Sequence, residues 1–88
     1  MALSIRYTDR FKSAYKKLEQ SEKEAFQRKL RLFAENPTHP SLRVKKIQGA
    51  DGLFEFSVNM DIRVIWYHEG DRIVALLDIG HHAVLNKY

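Results

Sequence analysis

The second half of this 88-residue chain contains the residues whose types could carry out chemistry on a phosphodiester. Gly80-His81-His82 precedes Tyr88, and Arg63 stands within an apolar stretch upstream of both. Arginine holds phosphate with a bidentate fork, histidine transfers protons near neutral pH, and an aromatic ring stacks on a splayed base. RNA supplies its own nucleophile, the 2′-hydroxyl, so its cleavage requires alignment, charge neutralisation and proton transfer. These residue types therefore fit metal-independent cleavage of RNA.

Each of these residues also has a purely structural interpretation. Arg43, Lys45 and Lys46 add positive charge that fits a nucleic-acid backbone, but charged residues also protect an exposed edge strand. Arg63 on an inner strand needs a partner or a site, and an ion pair with Glu55 across the sheet would satisfy it. Adjacent histidines after a glycine are as compatible with a solvated surface as with catalysis. The residues alone leave both interpretations open.

Composition and spacing argue against several other chemistries. The net charge of +4 favours binding to a polyanion, and the absence of cysteine removes disulfides, thiol nucleophiles and cysteine-rich zinc sites. The acidic residues are scattered and no histidine pair has metal-ligand spacing, so we expect no metal and no cofactor. Ser21 fits a helix cap better than a nucleophile. Without a membrane-length apolar stretch or the apolar core of a signal peptide, a cytoplasmic protein is expected.

The apolar pattern predicts the elements that must position these residues. Residues 3–7 alternate as in a strand, and Thr8 can cap a following helix. Ser21-x-x-Glu24 is a capping-box pattern for a second helix, which Asn36-Pro37 ends. Within each helix, the apolar residues recur with helical spacing and so form one face. They are Phe11, Ala14, Tyr15 and Leu18 in the first helix, and Phe26, Leu30 and Phe33 in the second.

After the helices, the apolar period changes to that of strands. Short turns separate the stretches that predict an antiparallel meander: Leu42–Ile47, Leu53–Val58, Ile62–His68 and Arg72–Ile79. The predicted order is β-α-α-β-β-β-β, an α+β domain with a four-stranded meander and with the helices on one face of the sheet. A chain of this length predicts a single domain over residues 1–88.

The ordered combination of these features resembles the RelE/ParE toxin superfamily over essentially the whole chain. The residues that carry the resemblance are Asn36-Pro37, Ile47-Gln48-Gly49, Leu53-Phe54-Glu55-Phe56, Arg63-Val64-Ile65-Trp66 and Gly80-His81-His82. Members of this superfamily are typically the toxins of type II toxin–antitoxin pairs. The RelE branch cleaves mRNA in the ribosomal A site by 2′-hydroxyl attack and leaves a 2′,3′-cyclic phosphate, whereas the ParE branch inhibits DNA gyrase.

The resemblance implies a role for individual residues. Arg63 falls at the position of a phosphate-stabilising arginine, His82 at that of a candidate general acid, and Tyr88 at that of a catalytic or base-stacking tyrosine. Asp61 matches an aspartate in the active-site turn of the YafQ-like branch, and Asn86 falls where that branch has a phenylalanine. The residues expected to contact RNA are Arg43, Lys45, Lys46, Asp61, His81 and Asn86.

One departure from the family pattern bears on activity. Glu55 and Ser57 stand where RelE carries two lysines, so that basic contribution is missing. Lys45 and Lys46 on the neighbouring strand are the candidates to replace it.

The function that the resemblance implies is that of an endoribonuclease toxin that depends on the ribosome. Its implied partners are a cognate antitoxin, mRNA and the ribosomal A site, and its implied state is a monomer or a heterodimer or heterotetramer with the antitoxin. A ParE-like, non-catalytic inhibitor of DNA gyrase and an inactive, antitoxin-binding relative are the alternatives.

Overall fold

The computed structural model describes residues 3–88, and within them the strands and α-helices follow the predicted order. The strands are β1 (Ser4–Tyr7), β2 (Lys45–Lys46), β3 (Phe54–Ser57), β4 (Ile62–Gly70) and β5 (Ile73–His81). The α-helices are α1 (Asp9–Lys16) and α2 (Gln20–Glu35). Short 3₁₀ helices span Pro40–Leu42 and His82–Lys87. The second of these, called the C-terminal helix, was not predicted from the sequence.

The strands form one five-stranded sheet in the order β1-β5-β4-β3-β2. Strands β2 to β5 pair antiparallel, which confirms the predicted meander. β4 and β5 each run past their predicted ends at His68 and Ile79. β1 joins the sheet parallel to β5, with Tyr7 opposite Leu76. Local periodicity does not reveal this pairing, because the two strands lie at opposite ends of the chain.

Thr8 connects β1 to α1 and caps the helix, as predicted. Its side-chain oxygen accepts a hydrogen bond from the Phe11 backbone N–H at 3.1 Å. The same hydroxyl donates to the Leu76 carbonyl of β5 at 2.8 Å. One side chain therefore satisfies an orphan N–H of the helix and ties the start of that helix to the sheet.

The second helix starts earlier than predicted. Its capping box is formed by Glu19 and Glu22, and a Glu22 carboxylate oxygen accepts from the Glu19 N–H at 2.9 Å. The prediction that Ser21-x-x-Glu24 caps this helix is wrong, because a carboxylate two positions earlier makes the same reciprocal bonds and starts the helix at Gln20. The helix ends where Asn36-Pro37 predicts.

The first strand of the predicted meander is much shorter than expected. Of Leu42–Ile47, only Lys45–Lys46 pairs with β3. A 3₁₀ turn starting at Pro40 buries Leu42, and Arg43 then takes a left-handed conformation with φ of 50°. The prediction of a strand from residue 42 is wrong because this turn redirects the chain before an extended backbone can begin.

An aromatic cluster between α2 and the sheet forms the centre of the core. Phe33 packs against Phe56 and Trp66, with ring centroids 4.6 and 4.9 Å apart. Both α-helices and alternate residues of the strands contribute to the buried cluster: Phe11, Phe26, Leu30, Phe33, Leu42, Phe56, Val58, Ile62, Val64, Trp66, Val74, Leu76 and Ile79. Both α-helices thus cover the same face of the sheet, which confirms the predicted fold class.

The face of the sheet turned away from α1 and α2, the outer face, is partly covered by the C-terminal helix. Ile65, Ala75 and Val84 are buried outside the aromatic cluster. Gly80 lies beneath Val84, since a Cβ at Gly80 would stand 3.3 Å from the Val84 Cβ. A glycine at this position therefore lets the C-terminal helix pack directly against β5.

We expect Thr8→Ala to lower the free energy of unfolding by about 1–2 kcal/mol, because the helix loses its cap and the bond to β5. Thr8→Ser retains the hydroxyl and is the matched control, with a smaller loss. Urea unfolding followed by circular dichroism measures both. Equal losses in the two variants would show that the hydroxyl contributes nothing.

Candidate active site

The register of the sheet places Arg63 on the outer face, beside residues of the two neighbouring strands. Ser57, Arg63 and Gly80 lie opposite one another in one row across β3, β4 and β5. Glu55, Ile65 and Asp78 form the next row on the same face. Rows two residues apart are about 7 Å from each other along the strands. Side chains of both rows can therefore act on one ligand.

The Arg63 guanidinium is held in a fixed position. Its Nη1 donates to the backbone carbonyls of Asn59 and Met60 at 2.8 and 3.0 Å. Its Nε lies 3.6 Å from Glu55 Oε1, so the cross-sheet ion pair considered from the sequence does form. Within residues 3–88, Nη2 makes no hydrogen bond. The guanidinium thus has one nitrogen left for an anion and needs no reorganisation to bind it.

The turn that holds Arg63 is itself braced by Asn59. The Asn59 side-chain oxygen accepts from the backbone N–H groups of Asp61 and Ile62 at 2.8 and 2.7 Å. This Asx-type turn aims the carbonyls of the preceding residues at the guanidinium. Asp61 is exposed in the same turn, and its backbone N–H takes part in the brace.

The two adjacent histidines occupy different surroundings. His81 ends β5, and its Nε2 lies 3.5 Å from a carboxylate oxygen of Glu22 on α2. His81 therefore points toward the helix side of the sheet. His82 is exposed and begins the C-terminal helix, two residues after Gly80 and hence next to the Arg63 row. Of the two, His82 is the one placed beside the outer face.

Tyr88 is anchored by a buried carboxylate. Its hydroxyl donates to Asp78 Oδ2 at 2.7 Å, and Arg10 Nε donates to the same oxygen at 3.2 Å. The Arg10 guanidinium carbon lies 5.5 Å from the centre of the Tyr88 ring. The other carboxylate oxygen accepts from the Ile79 N–H at 2.9 Å. Since Asp78 is only 3% exposed, these bonds compensate for the burial of its charge.

This environment keeps the Tyr88 hydroxyl protonated. Burial and the neighbouring Asp78 carboxylate raise the pKa of Tyr88 to about 12, and the Arg10 charge opposes this shift only in part. A phenol with that pKa is a poor proton donor and a poor base near neutral pH. The ring of Tyr88, rather than its hydroxyl, is therefore the part suited to contact a ligand.

The predicted RNA-contacting residues are divided between the two faces. Lys45 lies opposite Glu55 and so reaches the outer face, whereas Lys46 lies opposite Phe54 on the helix side. Arg43 lines a cavity of about 180 Å³ at the edge of β3, together with Lys29 and Ser57 as well as neighbouring turn residues. Asn86 is exposed on the C-terminal helix.

Two residues of this site were not singled out from the sequence. Asp78 interrupts the apolar run of β5, and a charge inside such a run is the signal that pointed to Arg63 on β4. Arg10 has no comparable signal, because a cation near the start of an exposed helix is ordinary. Only the tertiary structure shows that Arg10 meets Asp78.

Within residues 3–88, no group of three or more His, Asp or Glu residues is arranged to hold a metal ion. Neither α-helix in this part of the chain is long and apolar enough to cross a membrane.

Solved structures share this architecture. The YafQ toxin in the E. coli DinJ–YafQ toxin–antitoxin complex superposes with a TM-score of 0.76 at 19% identity, covering 97% of this chain and 98% of that one. The archaeal RelE–RelB complex from Pyrococcus horikoshii OT3 gives 0.73 at 18% identity, with 92% and 96% covered. The YoeB/ParE toxin from Agrobacterium tumefaciens gives 0.75 at 12% identity, with 91% and 99% covered.

The chain therefore has the fold of the RelE/ParE toxins, which confirms the fold implied by the sequence resemblance. Within that fold, its structural neighbours include RelE, YafQ and YoeB/ParE proteins. No protein-family model matches the sequence, and no curated protein matches it either.

We expect the stability of the protein to fall as the pH rises from about 10 to about 12, in part because of Tyr88. Its pKa is near 10 when unfolded and about 12 when folded, so the unfolded chain loses this proton first and is favoured. Tyr88→Phe removes that contribution and should flatten the decline. Urea unfolding at several pH values measures it, and parallel declines in both proteins would contradict the assignment.

Proposed function

We propose that this protein is the toxin of a type II toxin–antitoxin system and acts as a metal-independent endoribonuclease on mRNA. The observation that carries the proposal is the state of Arg63, which is locked by backbone carbonyls and keeps Nη2 for a phosphate oxygen. It lies on the outer face next to Gly80, two residues before His82. The toxin fold supports the same proposal.

In this mechanism the RNA 2′-hydroxyl attacks the adjacent phosphorus, and the bond to the 5′-oxygen of the next nucleotide breaks. Arg63 stabilises the charge that develops on the phosphate oxygens. His82 in its protonated form donates to the leaving 5′-oxygen as the general acid. The products are a 2′,3′-cyclic phosphate and a 5′-hydroxyl. The exposed position of His82 leaves it open to substrate and to solvent for reprotonation.

Tyr88 is assigned the binding of a base. Its hydroxyl is engaged by Asp78 and its pKa is about 12, so it takes no proton in the reaction. An aromatic ring stacked on a splayed base is worth about 1–3 kcal/mol. Asn86 on the C-terminal helix and Asp61 in the turn beside Arg63 are proposed to contact the neighbouring nucleotides.

The RNA backbone is proposed to run from Arg63 across the edge of β3 toward Lys45 and Arg43. Lys45 lies on the outer face, and Arg43 lines the cavity that also contains Ser57 of the Arg63 row and Lys29 of α2. Lys46 and His81 lie on the helix side of the sheet, so they take no part at the cleaved phosphate. They remain available to a larger RNA surface such as the ribosomal A site, which fits a cytoplasmic enzyme.

The proposed partner is an antitoxin with an acidic, amphipathic segment. A cavity of about 370 Å³ between α1 and α2 is lined by aromatic rings and bordered by lysines: Tyr7, Phe11, Lys12, Tyr15, Lys16, Phe26 and Gln27. Apolar anchors with acidic neighbours complement such a groove in shape and charge. Structures of RelE and YafQ relatives contain their antitoxins, RelB and DinJ. A complex of one or two toxin–antitoxin pairs is consistent with this arrangement.

Arg63→Ala and His82→Ala should each lower cleavage of a translated message by about 100-fold or more, because each removes a positioned group that acts in the transition state. Arg6→Ala and His68→Ala are the matched controls. Arg6 pairs with Glu69 at the far end of the sheet, and His68 is an exposed residue beside Phe54 and Trp66. Primer extension on the message measures the cleavage.

Rates within a few-fold of wild type in both site variants would contradict the ribonuclease assignment. Inhibition of DNA supercoiling by gyrase without any cleavage of RNA would favour the ParE-like alternative instead.

For the partner, the protein of an adjacent short reading frame should restore growth to cells that express this chain. The double variant Lys12→Glu, Lys16→Glu should stay toxic but escape neutralisation, since both lysines border the aromatic groove. Growth curves with and without co-expression measure this. Full neutralisation of the double variant would place the antitoxin elsewhere.

A further inference from the structure

The Glu55 carboxylate beside Arg63 has no assigned role in the chemistry above. Its Oε1 lies 3.6 Å from Arg63 Nε, beyond hydrogen-bond distance, and both side chains are 14% exposed. Within residues 3–88 it accepts no hydrogen bond. Its neighbours on either side are Lys45 on β2 and Ile65 on β4. The carboxylate is thus oriented by one cation while its lone pairs stay available.

Two other carboxylates of the sheet region, Asp78 and Glu22, are already engaged, and Asp61 is exposed in the turn without a contact to Arg63. Asp78 already accepts from Arg10, Tyr88 and the Ile79 N–H, so its lone pairs are engaged. Glu22 is on α2 and faces His81, on the helix side of the sheet. Among the described carboxylates, Glu55 therefore combines direct proximity to Arg63 with free acceptor capacity.

Cleavage by 2′-hydroxyl attack needs a group that removes the 2′-hydroxyl proton, and His82 in its protonated form supplies only an acid. A lysine at that point is charged at neutral pH and must first lose a proton, whereas a glutamate is an acceptor when ionised. Arg63 links phosphate binding to proton removal, because its Nη2 is free for the phosphate while its Nε faces Glu55. A phosphate on Arg63 would bring its ribose close to the carboxylate.

We propose that Glu55 is the general base of the reaction, an inference that rests on the proposed ribonuclease function. Glu55 takes the proton of the 2′-hydroxyl while the 2′-oxygen forms its bond to phosphorus. The bond from phosphorus to the 5′-oxygen breaks, and His82 gives its proton to that oxygen. After product release Glu55 loses its proton to water and His82 gains one. The acid and the base thus lie on opposite sides of Arg63, on β3 and after β5.

The structure does not need the Glu55–Arg63 ion pair to hold Arg63 in position. Arg63 is already held by the carbonyls of Asn59 and Met60, so the guanidinium keeps its position without a charged partner. Glu55→Gln preserves shape and removes the proton acceptor. Urea unfolding of Glu55→Gln should therefore give a free energy of unfolding close to that of wild type. A loss of cleavage in this variant would then come from the missing proton acceptor and not from a loss of folded protein.

The test compares two messages that differ at the cleaved linkage. One is natural, and the other carries sulfur in place of the bridging 5′-oxygen, whose thiolate leaves without protonation. Glu55→Gln should cleave both about 100-fold more slowly than wild type, because attack still needs a base. His82→Ala should be slow on the oxygen message and close to wild type on the sulfur message. Glu55→Asp should retain part of the activity.

Glu69→Gln is the matched control, since Glu69 pairs with Arg6 on the same sheet but far from Arg63, and its cleavage should equal wild type. Cleavage by Glu55→Gln within a few-fold of wild type would overturn the base assignment while the ribonuclease function stands. Rescue of Glu55→Gln by sulfur would overturn it too, because it would place Glu55 on the leaving group. Failure of the wild-type protein to cleave either message would overturn the ribonuclease function itself.

Discussion

The register between β4 and β5 is the constraint on which both faces of this protein depend. It pairs Val64 with Ile79 in the aromatic core and Arg63 with Gly80 on the outer face. Because side chains alternate along a strand, a slip of one residue would exchange the core side chains with those of the candidate site. Burial of the core therefore also fixes the site, and the free energy that stabilises the fold keeps Arg63 beside the start of the C-terminal helix.

A bulge in β5 refines this register. Leu77 is an extra residue between the positions that pair with Ile65 and Trp66. Without it, Asp78 would share the face of the aromatic core, where an unpaired carboxylate costs several kcal/mol or remains protonated. With it, Asp78 turns to the outer face and receives the Tyr88 hydroxyl. Because of the bulge, the buried Asp78 carboxylate is paired, and it holds Tyr88 at the end of the C-terminal helix.

Two ion pairs neutralise part of the charge on the outer face, although the chain as a whole is basic. Arg63 faces Glu55, and Arg10 faces Asp78. A uniformly cationic face binds RNA more strongly, but it offers no proton acceptor. In the proposed reaction, the Glu55 carboxylate would supply that acceptor at the expense of some phosphate affinity. The backbone carbonyls of Asn59 and Met60 orient the Arg63 guanidinium independently of Glu55.

Local sequence pattern determined most of the elements, since a period of two or of 3.6 residues records which side of an element is buried. It placed three of the four strands of the meander and the Thr8 cap, and it indicated that Arg63 needs a partner. It made the first strand of the meander too long, because the turn at Pro40 buries Leu42 and redirects the chain. It missed the true start of α2 because two overlapping capping patterns compete there. The parallel pairing of β1, the Leu77 bulge, the separation of His81 from His82 and the Arg10–Asp78–Tyr88 cluster were decided only by the tertiary structure. Each depends on contacts between distant parts of the chain, and no local spacing encodes them.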